Sequence, residues 1–228
     1  MGRSSPVTLG RFTFKSKSAA KDALRSLRDA VKDRQPVLDD DAVDLLLGVV
    51  AAHPQAGQKV GVGIAGFFVA RSPDYPTRCF YLRRIDGSET DFSWNETMSP
   101  TSPVTRLRMA CRNATMDQKL EFKDRGWPVA NSGERICPIT GKAFTRETAH
   151  VDHQPPQTFM KLVDDWLTAE GLNIDDVPIN HIGDLRSVDT FADARQDESW
   201  SEFHGKHAVL RLVSVEGNLR QGARLLGL

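Results

Sequence analysis

The chain is poor in cysteine, in tyrosine and in long apolar runs, and its charges cancel. Three cysteines, Cys79, Cys111 and Cys137, stand far apart among 228 residues. An odd, scattered set argues against a disulfide framework and against a zinc knuckle built from two pairs. No stretch approaches the roughly 18 uninterrupted apolar residues that a membrane-spanning helix requires. The longest apolar runs, residues 43–52 and 64–70, are short and interrupted. The amino terminus is basic and contains serine, but no apolar core follows as in a secretory signal. An organelle transit peptide stays open there. The expectation is a reduced, soluble, cytoplasmic protein with no membrane partner.

Thirty Lys and Arg balance thirty Asp and Glu, which does not favour a strong nonspecific grip on nucleic acid. The balance hides segregation. Residues 1–34 carry nine bases against three acids, and residues 106–151 nine against five; residues 152–203 hold twelve acids against three bases. Such asymmetry suits a basic contact face and an acidic insertion.

Apolar periodicity supplies the organisation. Phe12 and Phe14 alternate as in a short strand, and Ala20, Leu24, Leu27 and Val31 give one face of a helix over 18–32. Asp39 to Asp41 offer an acidic start to a second helix through Ala52, ended by His53-Pro54. Strands are expected over 60–70, 78–85 and 88–94, the last two joined at the Asp86-Gly87 turn. Pro100 and Pro103 mark a linker. Beyond it the pattern predicts a helix over 102–113, an irregular basic stretch and a strand near 145–151. A helix capped by Thr158 and ended by Gly171 follows, with Phe159, Leu162, Val163, Trp166 and Leu167 on one stripe. A mostly irregular acidic insertion then leads to a helix with Trp200, Phe203 and His207, a strand over 209–215 and a terminal turn or helix from Asn218. The fold class is α+β, in two domains, 1–104 and 105–228.

The chemistry concentrates in His150-Val-Asp152-His153-Gln-Pro-Pro156, read with Gly217-Asn218-Leu-Arg220-Gln-Gly222. A neutral imidazole can take a proton from water near physiological pH. A carboxylate and an amide oxygen suit a hard divalent cation. Adjacent strand residues face opposite ways, so Asp152 and His153 can serve different partners. On these motifs, residues 130–228 resemble the HNH (ββα-metal) endonuclease family. The resemblance implies His153 as general base and Asp152 and Asn218 as ligands of Mg²⁺ or Mn²⁺. It implies DNA phosphodiester hydrolysis in a restriction-like or homing-like setting, with a homodimer or two encounters for a double-strand break. The family's orienting asparagine has no counterpart; His207 is the nearest candidate and His204 the next. Relatives often carry a zinc knuckle, of which only Cys137 remains, so no structural zinc is expected and Trp166, Phe159 and Leu212 are expected to pack in its place.

Weighed singly, His150 reads as an ordinary strand residue, His181 as a solvent-exposed one, and Arg211, Arg220 and Arg224 as phosphate contacts or solvated surface. The first domain resembles the plant defective-chloroplasts-and-leaves (DCL) type through His53-Pro54, Lys59-Val-Gly-Val-Gly-Ile64, Arg78-Cys-Phe80 and Asp86-Gly-Ser88. That resemblance implies a nucleic-acid or protein recognition module. Two rival functions remain: a catalytically inactive nucleic-acid-binding protein and an RNA-directed nuclease.

Overall fold

The computed structural model describes residues 5–72, 77–127, 133–182 and 188–225, the side chains of Ile182 and of residues 222–225 excepted. They divide into two compact units, the second beginning at Pro103.

The first unit opens with a hairpin, β1 (Val7–Leu9) against β2 (Phe12–Phe14). Helix α1 (Lys17–Ala30) is capped by the Ser16 hydroxyl, which accepts from the Ala19 amide, and α2 (Asp40–Ala51) by the Asp39 carboxylate in the same way. A short helix, α3 (Ala56–Val60), precedes an antiparallel sheet of β3 (Ile64–Arg71), β4 (Arg78–Arg84) and β5 (Glu89–Phe92), and α4 (Trp94–Met98) closes the unit. Alternation in the sheet sends Phe67, Val69, Phe80, Leu82 and Phe92 against Leu24 of α1 and Leu46 and Val49 of α2, which forms the core. The opposite face holds a smaller cluster of Phe68, Ala70 and Tyr81, with Arg34 and Arg83 lying over the Phe68 ring. Arg84 is buried and its guanidinium donates to the Lys59 and Gln58 carbonyls, satisfying the end of α3.

Two close approaches fix this unit. Gly48 lies in the middle of α2, where a Cβ would stand 2.4 Å from the Gly10 amide nitrogen. Gly10 itself turns the β1–β2 hairpin at φ 57°.

The second unit begins with α5 (Pro103–Ala114) and α6 (Met116–Arg125), followed by a two-residue hairpin, β6 (Arg135–Ile136) and β7 (Ala143–Phe144). Next come β8 (Ala149–His153), α7 (Phe159–Glu170), a 3-10 turn at Ile174–Asp176, and the paired strands β9 (Ile179–Ile182) and β10 (Val188–Phe191). The chain finishes with α8 (Ala194–His207), β11 (Leu210–Ser214) and α9 (Val215–Leu225). The main core gathers Leu107 and Cys111 from α5, Leu162 and Trp166 from α7, and Trp200 from α8. Both buried indoles are satisfied: Trp200 donates to the Cys111 carbonyl at 2.8 Å and Trp166 to the Ser199 hydroxyl at 3.0 Å. A second cluster, Trp127, Cys137, Phe144, Ala149 and Val213, joins the β6–β7 hairpin to the β8–β11 pair.

Three expectations change here. The basic stretch after residue 113 is the helix α6, and the acidic insertion contains a strand pair. The packing expected in place of zinc is also corrected: Phe159 and Trp166 belong to the main core, and only Leu212 of the three lies against the Cys137 cluster. The loop containing Pro73 and Pro76 and the Arg224 side chain lie outside the described residues. No helix among the described residues is long and apolar enough to cross a membrane.

Candidate functional site

Strand β8 carries the sequence Ala149-His-Val-Asp-His153 and pairs antiparallel with β11, Arg211 opposite Asp152 and Leu210 opposite His153. Its residues point alternately to two sides. One side meets α9, which follows β11 directly and brings Asn218 and Gln221, one turn apart, over the strand pair. Gln221 donates to Asp152 Oδ2 at 3.1 Å, and Arg211 donates to that same oxygen from Nε at 3.0 Å and from Nη2 at 2.8 Å. Asp152 Oδ1 takes no hydrogen bond among the described residues. Asn218 donates from Nδ2 to His150 Nδ1 at 3.0 Å, so its carbonyl oxygen is not spent on that contact.

The other side of β8 meets α6 and α8. His153 is buried, and its Nε2 lies 2.9 Å from Nε2 of the fully buried His204. His204 Nδ1 donates in turn to the Gln118 side-chain oxygen at 2.6 Å. Because that oxygen can only accept, the direction of the chain is set: His204 keeps a lone pair on Nε2, His153 gives it the Nε2 proton, and the His153 lone pair is left on Nδ1. Burial, reinforced by the Lys119 and Arg112 charges, holds His153 down at about 4. Burial first, then His153 and Lys119, does the same for His204, also to about 4. Both rings are neutral at physiological pH.

The predicted site residues therefore fall into two groups. Asp152 and Asn218, 66 positions apart in the chain, face the same α9 side of β8, whereas His153 faces away from them. His207 ends α8 with its ring 4.4 Å from that of Phe203; the residue one turn earlier, His204, is the one that meets His153. His181 is not solvent-exposed as expected. Its Nδ1 lies 2.6 Å from the buried Asp189 carboxylate, with Arg106 against both. Sequence reasoning missed the parts played by His150, Gln221 and Gln118. The i, i+3 spacing of Asn218 and Gln221 was the available signal for the second.

Among the described residues, no three His, Cys, Asp or Glu side chains come close enough to hold a metal ion. The available oxygens are those of one carboxylate, Asp152, and one amide, Asn218. An all-oxygen set with only one charge fits a hard cation that keeps several waters, as Mg²⁺ does, and does not fit zinc.

Beside this pair, the chain before α9 is braced by Cys137. Its buried sulfur accepts from the Ser214 amide at 3.3 Å, and a Cβ on Gly217, in the first turn of α9, would stand 2.7 Å from it. Burial opposes ionisation of this thiol, but hydrogen bonds from Ser214 and Thr140 outweigh burial and bring it down to about 6.

Comparison with known proteins bears on the first unit. Residues 25–98 match the family described as a protein of unknown function, DUF3223, inside the span that carried the DCL-type resemblance. The chain is 30% identical over 97 residues to the DNA-directed RNA polymerase IV subunit 1 of Arabidopsis thaliana, and 29% identical over 100 residues to the corresponding polymerase V subunit. These stretches are 42% and 40% of this chain but only 7% and 5% of the subunits. The solution NMR structure of an uncharacterized protein from Rhodospirillum rubrum is 30% identical and covers 42% of this chain and 91% of its own, with a TM-score of 0.38. The resemblance of residues 130–228 to the HNH family is corrected by these findings: the family match lies at residues 25–98, and the curated relatives are polymerase subunits.

Proposed function

We propose that the protein acts on nucleic acid, and that its second unit hydrolyses phosphodiester bonds at β8. The observation that carries this reading is the polarised chain Gln118–His204–His153. It leaves a neutral imidazole with its lone pair on Nδ1, the state a general base needs. In this reading His153 takes the proton of an attacking water at Nδ1, from the side of β8 opposite to Asp152 and Asn218. His204 is a positioning residue: it accepts the Nε2 proton and so keeps the His153 ring in the required tautomer. Asp152 and Asn218 would hold a divalent cation such as Mg²⁺ or Mn²⁺ through their uncommitted oxygens, with Arg211 and Gln221 fixing the carboxylate from behind. Such a cation supplies neutralisation of charge on the departing oxygen. The likeness of part of the chain to DNA-directed RNA polymerase subunits supports a nucleic-acid setting for the protein.

A second assignment of the base is favoured by one observation. His150 is exposed and shares the α9 side with Asp152 and Asn218, whereas His153 does not. Incubation of supercoiled plasmid and of single-stranded RNA with the protein and Mg²⁺ or Mn²⁺ tests the function and separates DNA from RNA as substrate. His153→Ala is expected to lower the cleavage rate by about 10²–10⁴-fold and His150→Ala far less. The reverse ranking moves the base to His150. Binding of nucleic acid with no cleavage under either metal replaces hydrolysis by a purely binding role.

A further inference from the structure

Three neighbouring cations of the second unit form no ion pair among the described residues. Arg108 and Arg112 lie one turn apart on α5, and Lys119 follows on α6. They are held together by the backbone instead. Lys119 Nζ donates to the Arg112 carbonyl at 3.1 Å, and Arg112 Nη1 donates to the Arg108 carbonyl at 3.4 Å. The Arg112 guanidinium stands 4.4 Å over the Phe159 ring, and that ring is 5.4 Å from the His153 ring. Arg108 Nε is buried with no hydrogen-bond partner.

Like charges gathered in a half-buried place oppose folding, and a buried donor without a partner costs more still. The strain is visible in the titration of the groups: burial lowers Lys119 and Arg112, and each is lowered further by a neighbouring cation, Arg112 for Lys119 and Arg108 for Arg112. A carboxylate paired with these cations would relieve the repulsion permanently, and none among the described residues forms such a pair. An anion arriving from outside does the same work while it is bound. Its contacts would be two guanidinium forks and an ammonium, all donors, which match the oxygens of a phosphate.

We propose that Arg108, Arg112 and Lys119 form a binding site for a backbone phosphate of nucleic acid beside His153. The assignment rests on the phosphodiester reading above for its choice of ligand but not on cleavage. The site has no groups that read bases, so the grip is on the backbone and is independent of sequence. Phe159 gives Arg112 a fixed seat, so the guanidinium is presented rather than found.

The test is fluorescence anisotropy of the full chain with a labelled 20-base-pair DNA duplex and, separately, a single-stranded RNA of equal length. It is done in EDTA so that no cleavage enters, and over a range of salt. The variants are Arg112→Gln, Lys119→Gln and the double variant, with Lys206→Gln as a control of equal charge loss for each single variant and Lys161→Gln with Lys206→Gln for the double one, each checked for an unchanged thermal melt. The double variant is expected to weaken binding at least tenfold and to flatten the log affinity against log salt slope by about 0.9 per cation on duplex, or about 0.7 on single strands. Each control leaves the affinity within twofold. Loss on only one of the two ligands supports the site and says which nucleic acid it serves. An unchanged slope in the double variant, or no binding of either ligand by the wild type, overturns the site. Intact binding by His153→Ala without cleavage supports the site together with the hydrolytic reading, whereas tight wild-type binding with no cleavage under Mg²⁺ or Mn²⁺ removes hydrolysis and leaves the phosphate site standing.

Discussion

At the scale of single residues, the two histidines that meet at 2.9 Å carry a pH signature on the acid side of neutrality. Both have folded values of about 4, below the ordinary imidazole value of 6.5. The unfolded chain therefore binds protons between pH 6.5 and 4 that the folded one refuses. Stability from this pair is complete above pH 6.5 and is lost as pH falls through that window. Lowering the pH of urea unfolding from 7.5 to 4.5 should cost the second unit up to about 5 kcal/mol, about 2.5 from each ring. His153→Phe combined with His204→Leu should flatten the dependence, and a slope equal to that of the wild type would show that other groups set it. Legibility at this scale was uneven. Asp152, His153 and Asn218 enter as candidates through the HNH resemblance rather than through their local pattern, since an Asp-His pair is common. Gln118 and the cations of α5 and α6 could not be picked out, and His204 stood only second to His207, because only the packing of three separate helices around β8 gives them a common neighbour.

At the scale of elements, what could be read was what carried its own periodicity. Helices α1, α2, α5, α7 and α8 each put an apolar stripe or a side-chain cap into the sequence, and their observed ends fall within a few residues of the expected ones, except that α8 starts about four residues before the expected Glu198. Helix α6 has no buried residue, with Met116 and Leu120 exposed. It therefore shows no amphipathic pattern and reads as an irregular stretch. The short pieces α3, α4 and β1 are too brief for any period to register, and the glycines at 61 and 63 end α3 where a continuous strand was expected. A close backbone contact between elements is that of α2 on the first hairpin. Gly48→Ala would force a Cβ to 2.4 Å from a backbone nitrogen that cannot rotate away. The helix propensity gained by alanine is about 1 kcal/mol, and the overpacking should exceed it, for a net loss of about 2 kcal/mol or more. Differential scanning calorimetry would show the first unit melting several degrees lower; an unchanged melt would mean that the hairpin can retreat from the helix at little cost.

At the scale of the whole molecule, each unit closes its own core. The first apolar cluster draws every member from before Pro103, and the two in the second unit draw theirs from after it. A fragment of residues 1–102 is accordingly expected to fold alone and to melt in one cooperative step, within a few degrees of its transition in the full chain. A fragment that gives no cooperative transition by circular dichroism would show that the first unit depends on the second. The separateness of the cores has a consequence for genetics. Missense lesions that empty one core should leave the other domain folded and abundant, so alleles in the two halves ought to produce distinguishable phenotypes and, where the halves act through different copies, to complement one another in trans.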